Sequence, residues 1–584
     1  MKEPKIGVYI CWCGTNISHM VDVKAITEEI GDMPNIKVSR NYKYMCSDPG
    51  QDLIISDIKK HKLNRIVVAA CSPRIHELTF RKAIENAGLN PYLFEMANIR
   101  EQVSWVHTDI EAATEKAKSL VIAAISKVTH HEELERRTVD INPATLIIGG
   151  GITGMTAALD IAESGFKVYL IERDNKLGGV VSKVDLTFPY MSSAQQLIKS
   201  LINKVSNNKN IEVFFNTKIK EINGYVGNFE TKLKLQKKAR ELKFGNMILA
   251  TGLKPTDPES IHEIGYGRLP DVVTALEFEQ MLIKGNIKTK AGKEPNNILI
   301  VHCVGSRNEK YNPYCSRTCC MTALKYSNQI RSALPKTSIY HAYSDMRAFG
   351  KGCEEFYSQT GRKNAVFLMY DQKNDIPTLR RAGKNDRCNI IAHMYEKLSG
   401  EDIEIPADIV ILMISMEAHE NVKQVAHAAG VSICSNGFFM EKHPKLDPIA
   451  TTTDGVYIAG TCQSPKDIPD SVSQARAAAA RILTSISVGK VEIELTTAVV
   501  NEDICGACHT CINVCPYSAI SFDEEKKVSV VNEVICKGCG TCSSACPTGA
   551  ISARHFTDKQ ILSQIEGLLA VSNKLSEKLE MEEV

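Results

Sequence analysis

The stretch Thr145–Val180, TLIIGGGITGMTAALDIAESGFKVYLIERDNKLGGV, constrains this chain more than any other. Leu146, Ile147 and Ile148 form a short apolar run that predicts a buried parallel strand. Gly149, Gly151 and Gly154 follow in G-x-G-x-x-G spacing. Met155 to Glu163 then has helical composition, and Lys167 to Ile171 reads as a second strand that closes on Glu172 and Arg173. The first glycine permits a tight turn, the second lets backbone approach a pyrophosphate, and the third lets helix and strand pack closely. The free N–H groups of the helix N-terminus, at Ile152 and Thr153, are the phosphate-holding groups. Glu172 is placed to accept hydrogen bonds from ribose hydroxyls, which fits an unphosphorylated ribose. Strand, glycine turn, helix, second strand and terminal acid in register predict a Rossmann-type dinucleotide site.

At 584 residues the chain is long enough for three or four domains. Its formal net charge is +2 with no long basic or acidic block, which argues against a nucleic-acid partner. The opening residues MKEPKIGVYICWCG have no signal-peptide layout. Apolar runs such as Ile409 to Met413 are far too short to span a bilayer. A soluble, cytoplasmic protein without a membrane span is the expectation. There are 20 cysteines, and in a large cytosolic chain clustered cysteines point to metal or redox chemistry rather than disulfides. Only Cys353, Cys388, Cys434 and Cys462 stand outside the clusters, and they read as buried hydrophobes.

Near the C-terminus, Cys505, Cys508, Cys511 and Cys515-Pro516 are followed by Cys536, Cys539, Cys542 and Cys546-Pro547 in the same spacing. This doubled run is that of a bacterial-type 2[4Fe-4S] ferredoxin, of α+β fold. The fourth cysteine of each run crosses to the other cluster. One cluster is therefore expected on Cys505, Cys508, Cys511 and Cys546, the other on Cys536, Cys539, Cys542 and Cys515. Cys505-Gly506-Ala507-Cys508-His509 also matches a c-type haem attachment pattern, but the repeated frame claims the same cysteines. The tail from Thr557 to Glu582 is amphipathic and predicts one helix, either a docking element or a solvated end.

Leu177-Gly178-Gly179 favours FAD, because flavoproteins of the two-dinucleotide type often carry such a segment there. Two later strands, Met247–Leu249 ending in Ala250-Thr251-Gly252 and Asp454–Ala459 ending in Gly460, complete a pattern that resembles thioredoxin-reductase-like flavoproteins. That family usually has an aspartate directly after the last glycine; here Thr461-Cys462 stand there, and Asp470 or loop backbone is the expected substitute. The strand expected to lead into a second nucleotide fingerprint is present, Asn297 to His302. It continues into Cys303-Val304-Gly305-Ser306-Arg307, and one glycine cannot give the close approach a pyrophosphate needs. In place of the fingerprint stand Cys303, Cys315, Cys319 and Cys320, enough to surround one [4Fe-4S] cubane; buried or disulfide-forming thiols are the other reading.

Ile6–Ile10 and Arg65–Ala70 read as short buried strands, each running into cysteine, and alternating strands and helices suggest a small α/β unit. Strand C-termini share one edge of such a sheet, so Cys11, Cys13, Cys46 and Cys71 could converge there on a fourth cluster. A free Cys-x-Cys redox pair with two core cysteines fits the spacing equally well. Glu101 to Val128 predicts one long helix, and His130 to Arg137 a charged linker with His130 and His131 solvated. The expected layout is an N-terminal α/β domain over 1–135, an FAD domain over 140–495, a ferredoxin domain over 498–555 and a terminal helix over 556–584.

With these motifs in one chain, and with Met45–Gln51 (MCSDPGQ) and Ala69–Glu77 (AACSPRIHE), the sequence resembles the A-type subunits of heterodisulfide reductase over nearly its full length. The resemblance implies an oxidoreductase subunit for flavin-based electron bifurcation. Electron pairs come from a hydrogenase- or formate-dehydrogenase-type partner. They are divided between ferredoxin and a disulfide-reducing subunit, which in methanogens acts on the CoM–CoB heterodisulfide. It also implies B- and C-type partner subunits and a homodimeric core. This chain departs from some members in lacking an extra ferredoxin inserted in the FAD domain, which leaves four clusters. Glu277 and Lys442, in VVTALEFEQML and FFMEKHPKLDP, are the candidates for groups near the flavin's reactive edge. Two rival readings are an NAD(P)H-dependent flavoenzyme resembling the glutamate-synthase small subunit, and an electron-transfer scaffold that passes electrons without dividing them.

Overall fold

A computed structural model describes the whole chain except residues 1–2, 136, 235–238, 364, 373–375, 384–385, 494 and 583–584. Arg136 of the expected linker and the last two residues of the terminal segment thus lie outside the described residues. The chain divides into two compact units, one of residues 1–138 with 492–584 and one of residues 139–491. The N-terminal sheet, the ferredoxin-like segment and the C-terminal helix, read separately from sequence, share the first unit.

In that first unit the apolar runs become β1 (Ile6–Cys11), β2 (Ile36–Tyr42), β3 (Arg65–Ala70) and β4 (Phe94–Asn98), alternating with α1 (Val23–Gly31), α2 (Asp48–His61) and α3 (Pro73–Asn86). The four strands are parallel, in the order β2-β1-β3-β4. Helices cover both faces, so β1 is buried at every position. Connections leave β1 towards one edge and β3 towards the other. The C-terminal ends of these two strands therefore flank the crevice where open α/β sheets hold ligands.

Two local expectations fail here for physical reasons. The helix predicted over Glu101–Val128 is broken: Arg100–Ser104 is a π-helical turn, and α4 (Ile110–Val128) starts only after Asp109. The Asp109 carboxylate accepts from the Ala112 N–H at 2.8 Å, an N-cap that ends any continuation from the turn. His131 is not solvated. It is 1% exposed, stacks on His555 at 4.3 Å between ring centroids, and lies 3.2 Å from the Tyr92 carbonyl through Nδ1. Burial, with His555 and Lys127 close by, pushes its pKa down to about 2, so the ring is neutral.

The C-terminal helix Asp558–Glu582 is a docking element and lies along α4. The Gln560 amide donates to the His130 carbonyl at 3.0 Å, and the Ser563 hydroxyl to the Ser126 carbonyl at 3.1 Å. Gly567 makes this approach possible: a Cβ there would stand 2.7 Å from Ser126 Oγ and 2.9 Å from Ala123 Cα. Gly567→Leu is therefore expected to lift the helix from α4, at a cost of about 1–3 kcal/mol for overpacking. Limited proteolysis that cuts after Thr557 at least tenfold faster than in the wild type would register the change.

The ferredoxin-like segment repeats its backbone as well as its cysteines. The short helices Thr510–Val514 and Thr541–Ala545 correspond, and the strand pairs Ala498–Val500 with Ile551–Ala553 and Ile520–Asp523 with Val528–Val531 frame them. Positive φ recurs at matched sites: Ala507 (51°) and Gly538 (61°), His509 (60°) and Gly540 (77°), Ser518 (51°) and Gly549 (66°). These left-handed residues curl the loop that each cysteine run makes.

The second unit holds two five-stranded parallel sheets. One contains, in spatial order, Val456–Ile458, Asn246–Leu249, Thr145–Ile148, Val168–Ile171 and Ile211–Phe214. The other contains Val272–Thr274, Ile409–Ile414, Asn297–Val304, Ser338–Tyr343 and Ala365–Met369. α5 (Ile152–Glu163) packs against the helix Ile468–Val488, with Ala157, Ala158, Ala475, Ala478 and Ala479 in one core. Small side chains let the two helices approach closely. Among the described residues no helix is long and apolar enough to cross a membrane.

Candidate functional site

The glycine turn opens on a cavity of about 570 Å³, within the range of cofactor pockets. Gly149, Gly151, Ile152, Thr153, Glu172, Arg173, Gly178, Gly179, Ala250, Thr251 and Gly252 lie on its wall, as does Gly150. Gly154 and Gly460 do not; they shape the wall from behind. A Cβ on Gly154 would fall 1.9 Å from the Gly149 carbonyl oxygen, and one on Gly460 2.4 Å from Thr153 Oγ1. Gly151 is the opposite case. It has ordinary φ (−78°), its virtual Cβ meets nothing within 4 Å, and no side chain caps the α5 N-terminus above it. Backbone donors thus face open space at the position where a pyrophosphate needs them.

The acid after the second strand is fixed before any ligand arrives. Glu172 is buried, and its two oxygens accept from the Gly150 and Asp174 N–H groups, each at 2.8 Å. Each oxygen keeps a lone pair for ribose hydroxyls. Arg173 donates from Nη1 to His419 Nε2. Thr251 Oγ1 is buried on the cavity wall without a hydrogen-bond partner, an orphan that a bound polar group would satisfy. The cavity, the open approach at Gly151, the oriented Glu172 and the orphan hydroxyl fit FAD.

Of the two expected substitutes for the missing aspartate, the loop reaches the cavity wall, at Thr461 among others. Asp470 is not on the cavity wall; it pairs with Arg317 at 2.8 Å. Asp467 is on the wall, and its carboxylate caps the helix Ile468–Val488 by accepting from the Asp470 N–H at 2.8 Å. Lys466 is there too, donating to Ser464 Oγ at 2.7 Å, with burial lowering its pKa.

Glu277 and Lys442 do not reach the cavity. Glu277 belongs to a capping box: Thr274 Oγ1 accepts from the Glu277 N–H at 3.2 Å, and the Glu277 carboxylate accepts from the Thr274 N–H at 2.7 Å. The T-x-x-E spacing carried that signal. Lys442 is exposed, and its backbone N–H donates to the Ala450 carbonyl at 2.7 Å. The charged pair on the wall is instead Glu279 with Lys325, whose side chains are 2% and 1% exposed. Lys325 donates to Glu279 and, at 2.9 Å, to the Leu186 carbonyl; the second Glu279 oxygen accepts from the Asp185 N–H at 2.9 Å. Burial pulls the Lys325 pKa down, and Glu279 opposes that shift. Lys325 lies on the helix Cys319–Ala333, which is buried through most of its length.

That helix also carries Cys319, which stands on the cavity wall, and Cys320. Cys303 joins them through a register shift between Val301 and Val304 that leaves Cys303 at φ 56°. Such a bulge re-aims a side chain beside a site. Arg307 hydrogen-bonds the Cys303 thiol and pairs with Asp345, and the Arg317 N–H donates to Cys315 Sγ at 3.3 Å. Burial, reinforced by the nearby thiols, pushes the Cys319 thiol well up and the Cys320 thiol up to about 12. Thiols this buried ionise readily only beside a strong cation.

In the first unit, Cys11 ends β1 and Cys71 follows β3, so both reach the crevice, and each feels the charges of other thiols among Cys11, Cys13 and Cys46. The Cys13 and Met45 N–H groups donate to Cys11 Sγ at 3.3 and 3.4 Å. In the ferredoxin-like segment, Cys515, Cys536, Cys539 and Cys542 line one small cavity together, and Cys508 feels Cys546. Cys515 thus lies beside the second run, and Cys546 beside a member of the first. Among the described residues no group of three His, Cys, Asp or Glu closes on a single metal ion. A cubane is larger than one ion, and its four ligands stand apart at its corners.

Residues 143–301 match the family model described as pyridine nucleotide-disulphide oxidoreductase, and residues 504–550 match the 4Fe-4S dicluster domain. The chain is 40% identical to the second A-type iron–sulfur subunit of the CoB–CoM heterodisulfide reductase of Methanopyrus kandleri, over 97% of this chain and 99% of that one. It is 39% identical to the A-type subunit of the H(2):CoB-CoM heterodisulfide,ferredoxin reductase of Methanothermobacter thermautotrophicus, over 97% of this chain and 98% of that one. It is 35% identical to the A-type subunit of the H(2)/formate:CoB-CoM heterodisulfide,ferredoxin reductase of Methanococcus maripaludis, over 99% and 100%. The aligned stretch with the Methanopyrus protein is 654 residues long against 584 in this chain, so that relative carries segments with no counterpart here.

Proposed function

This chain belongs to the family of the A-type iron–sulfur subunits of CoB–CoM heterodisulfide reductase, and from that premise we propose that it divides electron pairs within such a complex. It is an oxidoreductase subunit, an iron–sulfur flavoprotein with a thioredoxin-reductase-like FAD domain and a two-cluster ferredoxin domain. In our reading it holds FAD and four [4Fe-4S] clusters, on Cys303/Cys315/Cys319/Cys320, on Cys11/Cys13/Cys46/Cys71 and on the two crossed ferredoxin sets. The electron pairs come from a hydrogenase- or formate-dehydrogenase-type partner. The acceptors are ferredoxin and a disulfide-reducing subunit, with B- and C-type subunits beside a homodimeric core, in the cytoplasm.

The observation that carries this reading is the position of Cys319, a member of the Cys303 group, on the wall of the FAD cavity. Bound there, FAD supplies two-electron uptake with one-electron release, and the clusters supply one-electron conduction. The residues of the chain do the rest. The α5 N-terminus and Gly151 would hold the pyrophosphate, Glu172 would hold the ribose, and Glu279–Lys325 sets a buried ion pair in the wall of the cavity. The strand Asn297–Val304 ends in a cysteine bulge rather than a glycine turn, which speaks against direct NAD(P)H oxidation.

The test is coupling in the reconstituted complex. Ferredoxin reduction is expected only when the disulfide acceptor is also present, with one ferredoxin electron for each acceptor electron. Equal ferredoxin reduction without the acceptor would mean that the protein conducts electrons without dividing them. Rapid bleaching of the flavin by NADH or NADPH alone would replace the reading with a pyridine-nucleotide-dependent one.

A further inference from the structure

The N-terminal crevice holds a charged group that neither the motifs nor the proposed function uses. Arg100 opens the π-helical turn Arg100–Ser104, directly beyond β4. Its Nη1 donates to Cys13 Sγ at 3.3 Å. Its Nε and Nη2 donate to Glu101 Oε1 at 3.3 and 2.7 Å, and its guanidinium lies over the Trp105 ring, 4.7 Å from the centroid. The side chain is only 15% exposed, so carboxylate, thiol and ring fix it from three sides. π-helical turns are rare and occur frequently at functional sites. This one turns a cation back onto the thiol group.

We propose that Arg100 sets the reduction potential of the N-terminal cluster, as a positioning residue that donates a charged hydrogen bond to the ligand Cys13. The proposal rests on the reading of Cys11, Cys13, Cys46 and Cys71 as cluster ligands. A cubane on four thiolates is an anion, and reduction adds one more negative charge without breaking a bond. A fixed cation beside a ligand sulfur favours the form with more negative charge, and hydrogen bonds to sulfur are among the known controls of cluster potential. Glu101 tempers the effect and holds the guanidinium in line. Two helices also begin at this edge: α2 and α3 start at Asp48 and Pro73 without side-chain caps, and their N-termini act in the same direction. The N-terminal cluster is thereby tuned upward.

The test uses the full-length, anaerobically purified protein. Wild-type protein is expected to hold about 16 irons per FAD, from four cubanes. The N-terminal signal is identified as the one lost in Cys71→Ser when clusters are titrated by electron paramagnetic resonance. In Arg100→Gln that signal is expected to remain while its reduction equilibrium falls at least tenfold, about 59 mV for one electron. Arg100→Lys, which keeps the charge and a donor, is expected to recover part of the shift; if the Gln variant loses iron, the Lys variant alone carries the comparison. An unmoved potential in an iron-replete variant overturns the role of Arg100 and leaves the cluster standing. A Cys71→Ser protein that keeps the wild-type iron content and every wild-type signal overturns the cluster itself, and Arg100's role with it.

Discussion

Lys325→Met is expected to destabilise the 139–491 unit by about 3–5 kcal/mol, because it leaves the Glu279 carboxylate buried without its cation. Both side chains are almost inaccessible, 1% for Lys325 and 2% for Glu279. The Leu186 carbonyl and the Asp185 N–H that also hydrogen-bond them are neutral and cannot replace the lost charge. Methionine roughly preserves the volume of the lysine stem, so the loss reports charge rather than a cavity. The temperature at which FAD fluorescence is released is the direct measurement. The double variant Glu279→Gln/Lys325→Met separates the two jobs of the pair. It removes both charges, so most of the stability is expected to return, while the flavin spectrum and its pH dependence stay altered. Full recovery of both would make the pair purely structural. Retention of wild-type stability in Lys325→Met would mean that Glu279 takes up a proton at little cost.

Gly151→Ala is expected to give a folded protein that has lost FAD. Its backbone is ordinary for an L-residue, and a Cβ there touches no protein atom within 4 Å. The methyl group would instead fill the approach that a pyrophosphate needs. FAD per chain, from visible absorbance, is expected to fall at least tenfold, while far-ultraviolet circular dichroism keeps the wild-type shape. Gly154→Ala is the control with the opposite cause. Its Cβ would sit 1.9 Å from the Gly149 carbonyl oxygen, so the turn itself must move and stability falls together with FAD. A Gly151→Ala protein with normal FAD content would displace the pyrophosphate from this turn.

Where chemistry depends on neighbours in sequence, the residues announce it. The Gly149–Glu172 stretch and the doubled cysteine frame each lie within a short segment whose spacing is itself the geometry. The structure returns the first as an open cradle at Gly151 and the second as thiols that approach the opposite run, Cys515 and Cys546. The capping box at Thr274 and Glu277 is equally legible in the T-x-x-E spacing, and it reserves Glu277 for the helix start. Glu279, two residues further along the same helix, carries no such mark. Its meaning comes from Lys325, 46 residues away on a helix that packs against it.

Spacing along a backbone of fixed geometry dictates which groups can surround one phosphate or one cluster, so the cofactor-bearing frames, the chemistry they support and the family were legible in the residues alone. Folding settled which charges face the flavin cavity, that Asp467 rather than Asp470 lies on its wall, that His131 is buried under His555, and that Arg100 bends back to Cys13. Those outcomes depend on strand order, a broken helix and contacts between segments hundreds of residues apart, and burial by distant partners leaves no periodic trace in the local sequence.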